Sequence, residues 1–265
     1  MITPILMLGA GRMGGAMLAG WRLSGAFAPA DLMIRDPQPG ASALAAAADG
    51  ARLNPPDTEL AEARTVVLGV KPQLWREAAA EVAPWLHADA VVVSIAAGVK
   101  LQDIAQEFGG RPVARVMPTT AAAIGQGTAS VYADDPAALA RAHALFEPLG
   151  TVVDLTDEAL MHAATAVSGS APAYFYAFVE ALEGAGVAAG LPPKEAARLA
   201  RSTLTGASAL LARGGDDPAE LRRQVTSPGG TTEAALNVLL GASGLPTLLR
   251  EAVVRAVRRS KELGA

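Results

Sequence analysis

The sequence predicts a two-part chain of the α/β class. A doubly wound, mostly parallel sheet occupies residues 1–155, and an all-α region occupies 156–265. Three observations carry this. Short apolar runs alternate with helical patterns through the first part, as strand–crossover–strand units do. The first run ends in a glycine turn that opens a helix. After Thr156 strand-like runs stop and only helical periodicity remains.

Residues 4–8, P-I-L-M-L, lead into Gly9-Ala10-Gly11-Arg12-Met13-Gly14, and Met17, Leu18, Trp21 and Leu23 continue at helical spacing. A strand, G-x-G-x-x-G and a helix in that order form the dinucleotide-binding fingerprint of a Rossmann-type sheet. Gly9 makes the tight turn, Gly11 admits a pyrophosphate to the backbone, and Gly14 lets the helix pack on the strand. Ala10, Arg12 and Met13 complete this cofactor-binding turn. Residues 31–36 read as the second strand. Asp36 stands where an acidic residue receives a ribose 2′-hydroxyl and repels a 2′-phosphate, whereas Arg35 beside it would attract one. The pair leans towards NADH and leaves NADPH open, and a plain strand-end turn at Asp36-Pro37 is the structural alternative.

Residues 41–48 form an alanine-rich helix, and 65–70 (T-V-V-L-G-V) a strand apolar on both faces, as a parallel sheet requires. Lys71 follows at that strand's carboxyl end, where ligands bind in such sheets, although a solvated loop lysine fits the spacing equally well. A helix covers 75–86 and a strand 90–95. The strand ends in Ala96-Ala97-Gly98, three small residues that leave room for a flat ring. A helix at 101–108, strands at 112–117 and 127–132, a helix at 136–149 and a strand at 151–155 complete the sheet.

The second part reads as helices over 158–167, 172–190, 193–213, 231–240 and 246–263, separated by Gly, Pro, Ser and Asp breakers. The helix from Pro172 carries Tyr174, Phe178, Leu182, Ala185 and Ala189 on one stripe, with Phe175, Val179 and Gly186 beside it. So wide an apolar face needs burial on more than one side, which predicts a homodimer or larger homo-oligomer. At 225–232 the run V-T-S-P-G-G-T-T places four hydroxyls around a Pro-Gly-Gly turn that opens a helix. Unpaired amides and the helix dipole there make an anion site, and an ordinary Ser/Thr helix cap is the plainer reading.

Composition excludes other classes of function. The chain has 265 residues, 51% of them apolar, a net charge of −4 and no cysteine. Thiolate chemistry and cysteine-bound zinc are therefore excluded, and His87, His143 and His162 stand apart, so no metal site is expected. No dense Lys/Arg block marks a nucleic-acid surface, and no run is long and apolar enough to span a membrane. A cytoplasmic protein acting on a small molecule is the expectation.

Four stretches in this order resemble the Δ1-pyrroline-5-carboxylate reductase family: the turn at 9–14, Val70-Lys71-Pro72-Gln73, Ser168-Gly169-Ser170-Ala171-Pro172-Ala173-Tyr174, and above all V-T-S-P-G-G-T-T. The resemblance covers essentially the whole chain. It implies a Rossmann domain, a helical dimerisation and substrate-binding domain, and NAD(P)H-dependent reduction of L-1-pyrroline-5-carboxylate to L-proline, the last step of proline synthesis. It implies that Ser227 and the N–H groups of Gly230 and Thr231 hold the substrate carboxylate, and that the Thr232 hydroxyl meets the ring nitrogen. It also implies that Val70, Lys71, Pro72, Ala96, Ala97 and Gly98 line the ribose and nicotinamide, and that helices of one subunit complete the site of the other. The chain departs from the family's usual pattern at Met117-Pro118-Thr119-Thr120-Ala121, where Thr119 stands in place of an asparagine, and at Arg35-Asp36-Pro37, where many members carry an N-R-S-like run.

Two other classes remain open on the sequence. A two-domain dehydrogenase of the β-hydroxyacid type would need a helical-domain lysine as acid/base, and Lys194 at a helix start is the only lysine between Lys100 and Lys261. A non-catalytic nucleotide-binding regulator would have no use for the second anion site at 225–232.

Overall fold

The computed structural model describes residues 1–215 and 217–263. Strands β1 (Ile5–Leu8), β2 (Leu32–Arg35), β3 (Arg52–Leu53), β4 (Thr65–Leu68), β5 (Val91–Ser94), β6 (Val113–Pro118), β7 (Gly127–Ala133) and β8 (Gly150–Asp154) form one sheet in the order β3-β2-β1-β4-β5-β6-β7-β8. All neighbours are parallel except the β6/β7 pair. Helices α1 (Arg12–Ser24), α2 (Ala41–Ala48), α3 (Trp75–Val82), α4 (Leu101–Glu107) and α5 (Pro136–Phe146) fill the crossovers. This is the doubly wound sheet that the alternation predicts.

Strands β1, β4 and β5 are buried at every position. Their alternate residues face opposite ways, because a strand's side-chain period is two. Ile5, Met7, Val67 and Val93 join one apolar layer with Met17 and Trp21 of α1 and Leu145 and Phe146 at the end of α5. Leu6, Leu8, Val66 and Val92 join the other with Trp75 and Val82 of α3 and Ile104 of α4. Each such large side chain contributes roughly 1.5–3 kcal/mol by leaving water. The Trp21 indole also donates to the Leu145 carbonyl at 2.8 Å, so the buried ring leaves no polar atom unpaired.

In the second part, helices α6 (Met161–Ala164), α7 (Ala171–Ala188), α8 (Pro193–Gly214), α9 (Pro218–Gln224), α10 (Thr231–Leu239) and α11 (Leu245–Leu263) follow. The chain divides into two compact units, Met1–Gly169 with Ala256–Ala265, and Ser170–Arg255. Within the second unit α7 and α8 pack as a helical hairpin, Gly186 lying against Ala196. None of the residues of α7, α9 or α10 is buried within the chain.

Two elements escape the sequence reading. Strand β3 is only two residues long, too short for a periodic signal. Helix α9 begins where Asp217-Pro218 reads as a breaker, but Asp217 caps it by accepting the Ala219 N–H at 2.7 Å and Pro218 is tolerated in the first turn. The single helix expected over 158–167 is instead a 3₁₀ turn at Glu158–Leu160, then α6, then a π-helical turn at Thr165–Gly169. There the hydroxyls of Thr165 and Ser168 donate to carbonyls four residues back, and Gly169 lies against Met117. Among the described residues no helix is long and apolar enough to cross a membrane, and no cluster of His, Cys, Asp or Glu has the makings of a metal site.

Candidate active site

The sheet's winding reverses between β1 and β4, so their carboxyl ends open a crevice. Gly9 turns out of β1 at φ +85°, and a Cβ there would lie 2.9 Å from the Val70 nitrogen. Gly69, at the end of β4, closes on Gly9 from the other side: its Cβ would lie 2.9 Å from the Gly9 carbonyl oxygen. A Cβ on Gly14 would approach that same oxygen to 2.3 Å. At Gly11 the corresponding space is empty. Two glycines of the fingerprint therefore answer to packing, and the third leaves room beside the backbone. Gly11 is the N-cap of α1 and no side chain caps that helix, so its first amides face a ligand-sized space. A cleft of about 510 Å³ opens there, lined by Ala10, Gly11, Arg12, Gln38, Gly40 and Ser42. Met13 is half-buried in the first turn.

Asp36 is buried at the end of β2, and both its oxygens are occupied. Oδ2 accepts the Ala10 N–H at 2.7 Å and Oδ1 accepts the Gln38 N–H at 2.8 Å. The second bond is the strand-end turn considered for Asp36-Pro37, and the first ties β2 to the glycine turn. Asn54 holds the same backbone from β3's end, accepting the Asp36 N–H at 2.9 Å and donating to the Asp36 carbonyl at 3.0 Å. It does so at φ +49°, a conformation asparagine tolerates better than most residues. Arg35 is turned to carboxylates: Asp57 at 2.7 Å and Glu81 at 3.3 Å.

Past β4, Lys71 is exposed and Val70 and Pro72 are half-buried; the Lys71 carbonyl accepts the Leu74 N–H at 2.9 Å. Past β5, Ala96 and Gly98 are buried and Ala97 is half-buried, with Gly98 at φ +82°. Ser94 Oγ accepts the Ala96 N–H at 3.2 Å and fixes the start of this turn. Thr119, where the family tends to carry asparagine, is buried and accepts the Thr128 N–H at 3.0 Å through Oγ1.

In the second unit, Ser227, Thr231 and Thr232 are exposed. Pro228 and Gly229 sit at the centre of a turn, with Gly229 at φ +70°, and Ser227 accepts the Gly230 N–H through its carbonyl at 3.0 Å. The Gly230 N–H thus closes this turn. The N-cap of α10 is Gly230 itself, with no side-chain cap. The plainer reading of a Ser/Thr cap therefore does not hold, and the amides of the first turn, at Thr231 and Thr232, are left without a capping side chain. Glu233 turns back to accept the Gly229 N–H at 2.8 Å. The parts that spacing missed (Gly69, Asn54, Ser94 and Glu233) are side chains or close approaches that act on another segment's backbone.

Comparison with known proteins gives the same reading of both parts. Residues 158–263 match the family model described as pyrroline-5-carboxylate reductase dimerisation, and residues 4–98 match that of coenzyme F420-dependent NADP oxidoreductases. The chain is 39% identical to a pyrroline-5-carboxylate reductase of Pseudomonas aeruginosa over 99% of its own length and 98% of that protein's. The solved structure of a pyrroline-5-carboxylate reductase from Coxiella burnetii superposes with a TM-score of 0.91 at 28% identity, covering all of both chains. The fold is shared as well with a Plasmodium falciparum pyrroline carboxylate reductase solved with NADP bound, at a TM-score of 0.85 and 24% identity over 99% of this chain and 98% of that one. The chain belongs to the pyrroline-5-carboxylate reductase family.

Proposed function

From that membership, we infer that the chain is an oxidoreductase that reduces the C=N bond of L-1-pyrroline-5-carboxylate to give L-proline, using NAD(P)H. The observation that carries the reading is the pairing, in one chain, of a dinucleotide turn with open space at Gly11 and a hydroxyl-rich helix start at Thr231 without a side-chain cap. The bound nicotinamide supplies the hydride. We assign the turn from Gly9 through Ala10, Gly11, Arg12 and Met13 to Gly14 to the pyrophosphate. Val70, Lys71, Pro72, Ala96, Ala97 and Gly98 are assigned to the ribose and nicotinamide.

On the substrate side, the Ser227 hydroxyl and the amides of Gly230 and Thr231 would hold the carboxylate. The Thr232 hydroxyl would orient the ring nitrogen. A protonated imine is already electrophilic, so positioning rather than a strong acid is what the site must provide. The test is turnover: purified protein with pyrroline-5-carboxylate oxidises NADH or NADPH and yields proline. No proline with either cofactor overturns the reading.

NADH is the preferred donor in this reading. Asp36 puts a buried negative charge beside the turn, and Arg35 is held by Asp57 and Glu81. Asp36→Asn keeps an oxygen for the Ala10 N–H, gives up the acceptor for the Gln38 N–H and removes the charge. It should shift the ratio of kcat/KM values towards NADPH by roughly tenfold, as about 1.4 kcal/mol of lost repulsion would. An unchanged ratio removes Asp36 from cofactor selection.

The same reading makes the working form a homodimer or larger homo-oligomer built on the helical part. Its support is an α7 without buried residues, with Tyr176 71% exposed, and a match to a dimerisation family model. A mass by light scattering equal to one chain would refute it. The reading also places the enzyme in the cytoplasm, which cell fractionation checks.

A further inference from the structure

Side chains hold the backbone on both sides of the turn at 96–98, at Ala96 where it begins and at Leu101, three residues after it. Ser94 holds the Ala96 N–H at its start. At its far end, α4 begins without a cap of its own, since the Lys100 side chain makes none. The first amide of that helix, Leu101 N–H, is accepted instead by Glu158 Oε1 at 2.7 Å, from 57 residues along the chain. The same oxygen accepts from Arg115 Nη1 at 2.6 Å. Arg115 is 4% exposed and pairs with Ser94 in the β5/β6 register.

One carboxylate oxygen thus joins the start of α4 to the middle of β6, and Arg115 there is the register neighbour of Ser94, which holds the turn that precedes α4. The carboxylate charge suits both partners: it compensates a buried guanidinium and lies at the positive end of α4. Glu158 is itself held in place, because Asp157 Oδ1 accepts the Ala159 N–H at 2.8 Å and fixes the 3₁₀ turn. On this side Gly98 borders a cleft of about 500 Å³ with Lys100, Arg115, His162 and Lys261. Ala96 and Val99 on either side of the turn join the apolar layer beneath it, and the hydrogen bonds to Glu158 add directional restraint where α4 begins.

We propose that Glu158, with Arg115, is a positioning residue for the reaction: it fixes the turn at 96–98 in the shape that receives the nicotinamide. The inference rests on the reading that this turn faces the nicotinamide. Hydride transfer tolerates little misplacement, so a loosened turn weakens cofactor binding and turnover before it affects the substrate's own contacts.

The test compares Glu158→Ala with Glu158→Gln by NADH fluorescence titration and steady-state kinetics. Glu158→Ala should weaken NADH binding and lower kcat on the order of tenfold each, with the KM for pyrroline-5-carboxylate within about twofold. Glu158→Gln, which keeps an acceptor for Leu101 N–H, should recover most of the affinity. If Glu158→Ala does not fold, Glu158→Asp decides: it keeps the charge near Arg115 but falls short of Leu101, and should lose cofactor affinity with its melting temperature retained. Wild-type NADH affinity in a folded Glu158→Ala or Glu158→Asp overturns the proposal, as does an equal loss in the alanine and glutamine variants. Ala97→Leu separates the two readings. Unchanged NADH binding in Ala97→Leu refutes the turn as nicotinamide site. Lost binding there, with Glu158→Ala unaffected, refutes only the positioning role.

Discussion

Strand β4 and helix α7 are both built from apolar side chains, and the chain treats them in opposite ways. Every residue of β4 is buried, between helices supplied by the same chain. Helix α7 carries Tyr174, Phe175, Phe178, Val179 and Leu182 and buries none of its residues within the chain. A sheet with helices on both faces satisfies its own apolar surface, so its stability is a property of one chain. The helical part leaves its apolar surface uncovered, and in the homo-oligomer reading that surface is satisfied only by a second copy. Folding and assembly are then one equilibrium for the helices and two for the sheet.

The sharpest test makes the same substitution in each region. Val67 is fully buried in β4, and Val67→Asp leaves an unpaired charge in the sheet core, which destabilises by on the order of 5 kcal/mol and gives insoluble or unfolded protein. Val238, in α10, is 76% exposed within the chain. Val238→Asp should leave a folded sheet, seen as a retained cooperative melting transition, while light scattering reports loss of the oligomer. A Val238→Asp protein that stays oligomeric would break the contrast at that helix.

The next test lies within the sheet and contrasts two glycines of one turn. Gly14→Ala drives a Cβ against the Gly9 carbonyl and should lower stability by about 2–3 kcal/mol, read by chemical denaturation. Gly11→Ala meets nothing within 4 Å and should leave stability nearly unchanged. If a pyrophosphate uses that space, Gly11→Ala raises the KM for NADH by about tenfold or more. Equal stability losses in both variants would contradict the packing described here.

In the helical part, Thr232→Ala removes an exposed hydroxyl and should leave the melting temperature unchanged. It should lower kcat/KM for pyrroline-5-carboxylate by roughly 10–100-fold, the loss expected of one orienting hydrogen bond. Wild-type kinetics would remove Thr232 from the mechanism.

The smallest expected effect is electrostatic and confined to the sheet unit. His143 bonds Glu147 at 2.8 Å and Asp154 at 2.7 Å, and the Glu147 contact leads in raising its pKa above the ordinary histidine value, against a lowering by burial. A raised folded-state pKa means that the stabilisation is complete below the unfolded pKa of about 6.5 and is lost as pH rises through the folded value. His143→Gln should therefore lower the melting temperature by about 2 °C at pH 6 and by less at pH 9. An equal shift at both values would show that the charge plays no part.

Much of this was legible in the sequence because it is set by local backbone sterics and side-chain period. Gly9 at positive φ, the clash that keeps Gly14 a glycine, and the all-apolar runs of β4 and β5 follow from short spacings. The run at 225–232 announced a turn and a helix start, and Pro228-Gly229 form that turn. The use of each polar group there was not legible. Four hydroxyls in the sequence pointed to a side-chain cap, but the backbone turn takes the Gly230 N–H and no hydroxyl caps α10.

By itself, then, the sequence determined the alternation of strands and helices apart from β3 and α9, the dinucleotide turn, the apolar surplus of the helical part and the family resemblance. Only the tertiary structure decided what the charged side chains do. Asp36 reaches back to Ala10, Arg35 turns to Asp57 and Glu81, and Glu158 joins Leu101 to Arg115. The physical reason is range. A turn or strand is fixed by neighbours a few residues away, whereas a buried charge takes its partner from whichever segments the sheet brings alongside, and spacing along the chain carries no record of that choice.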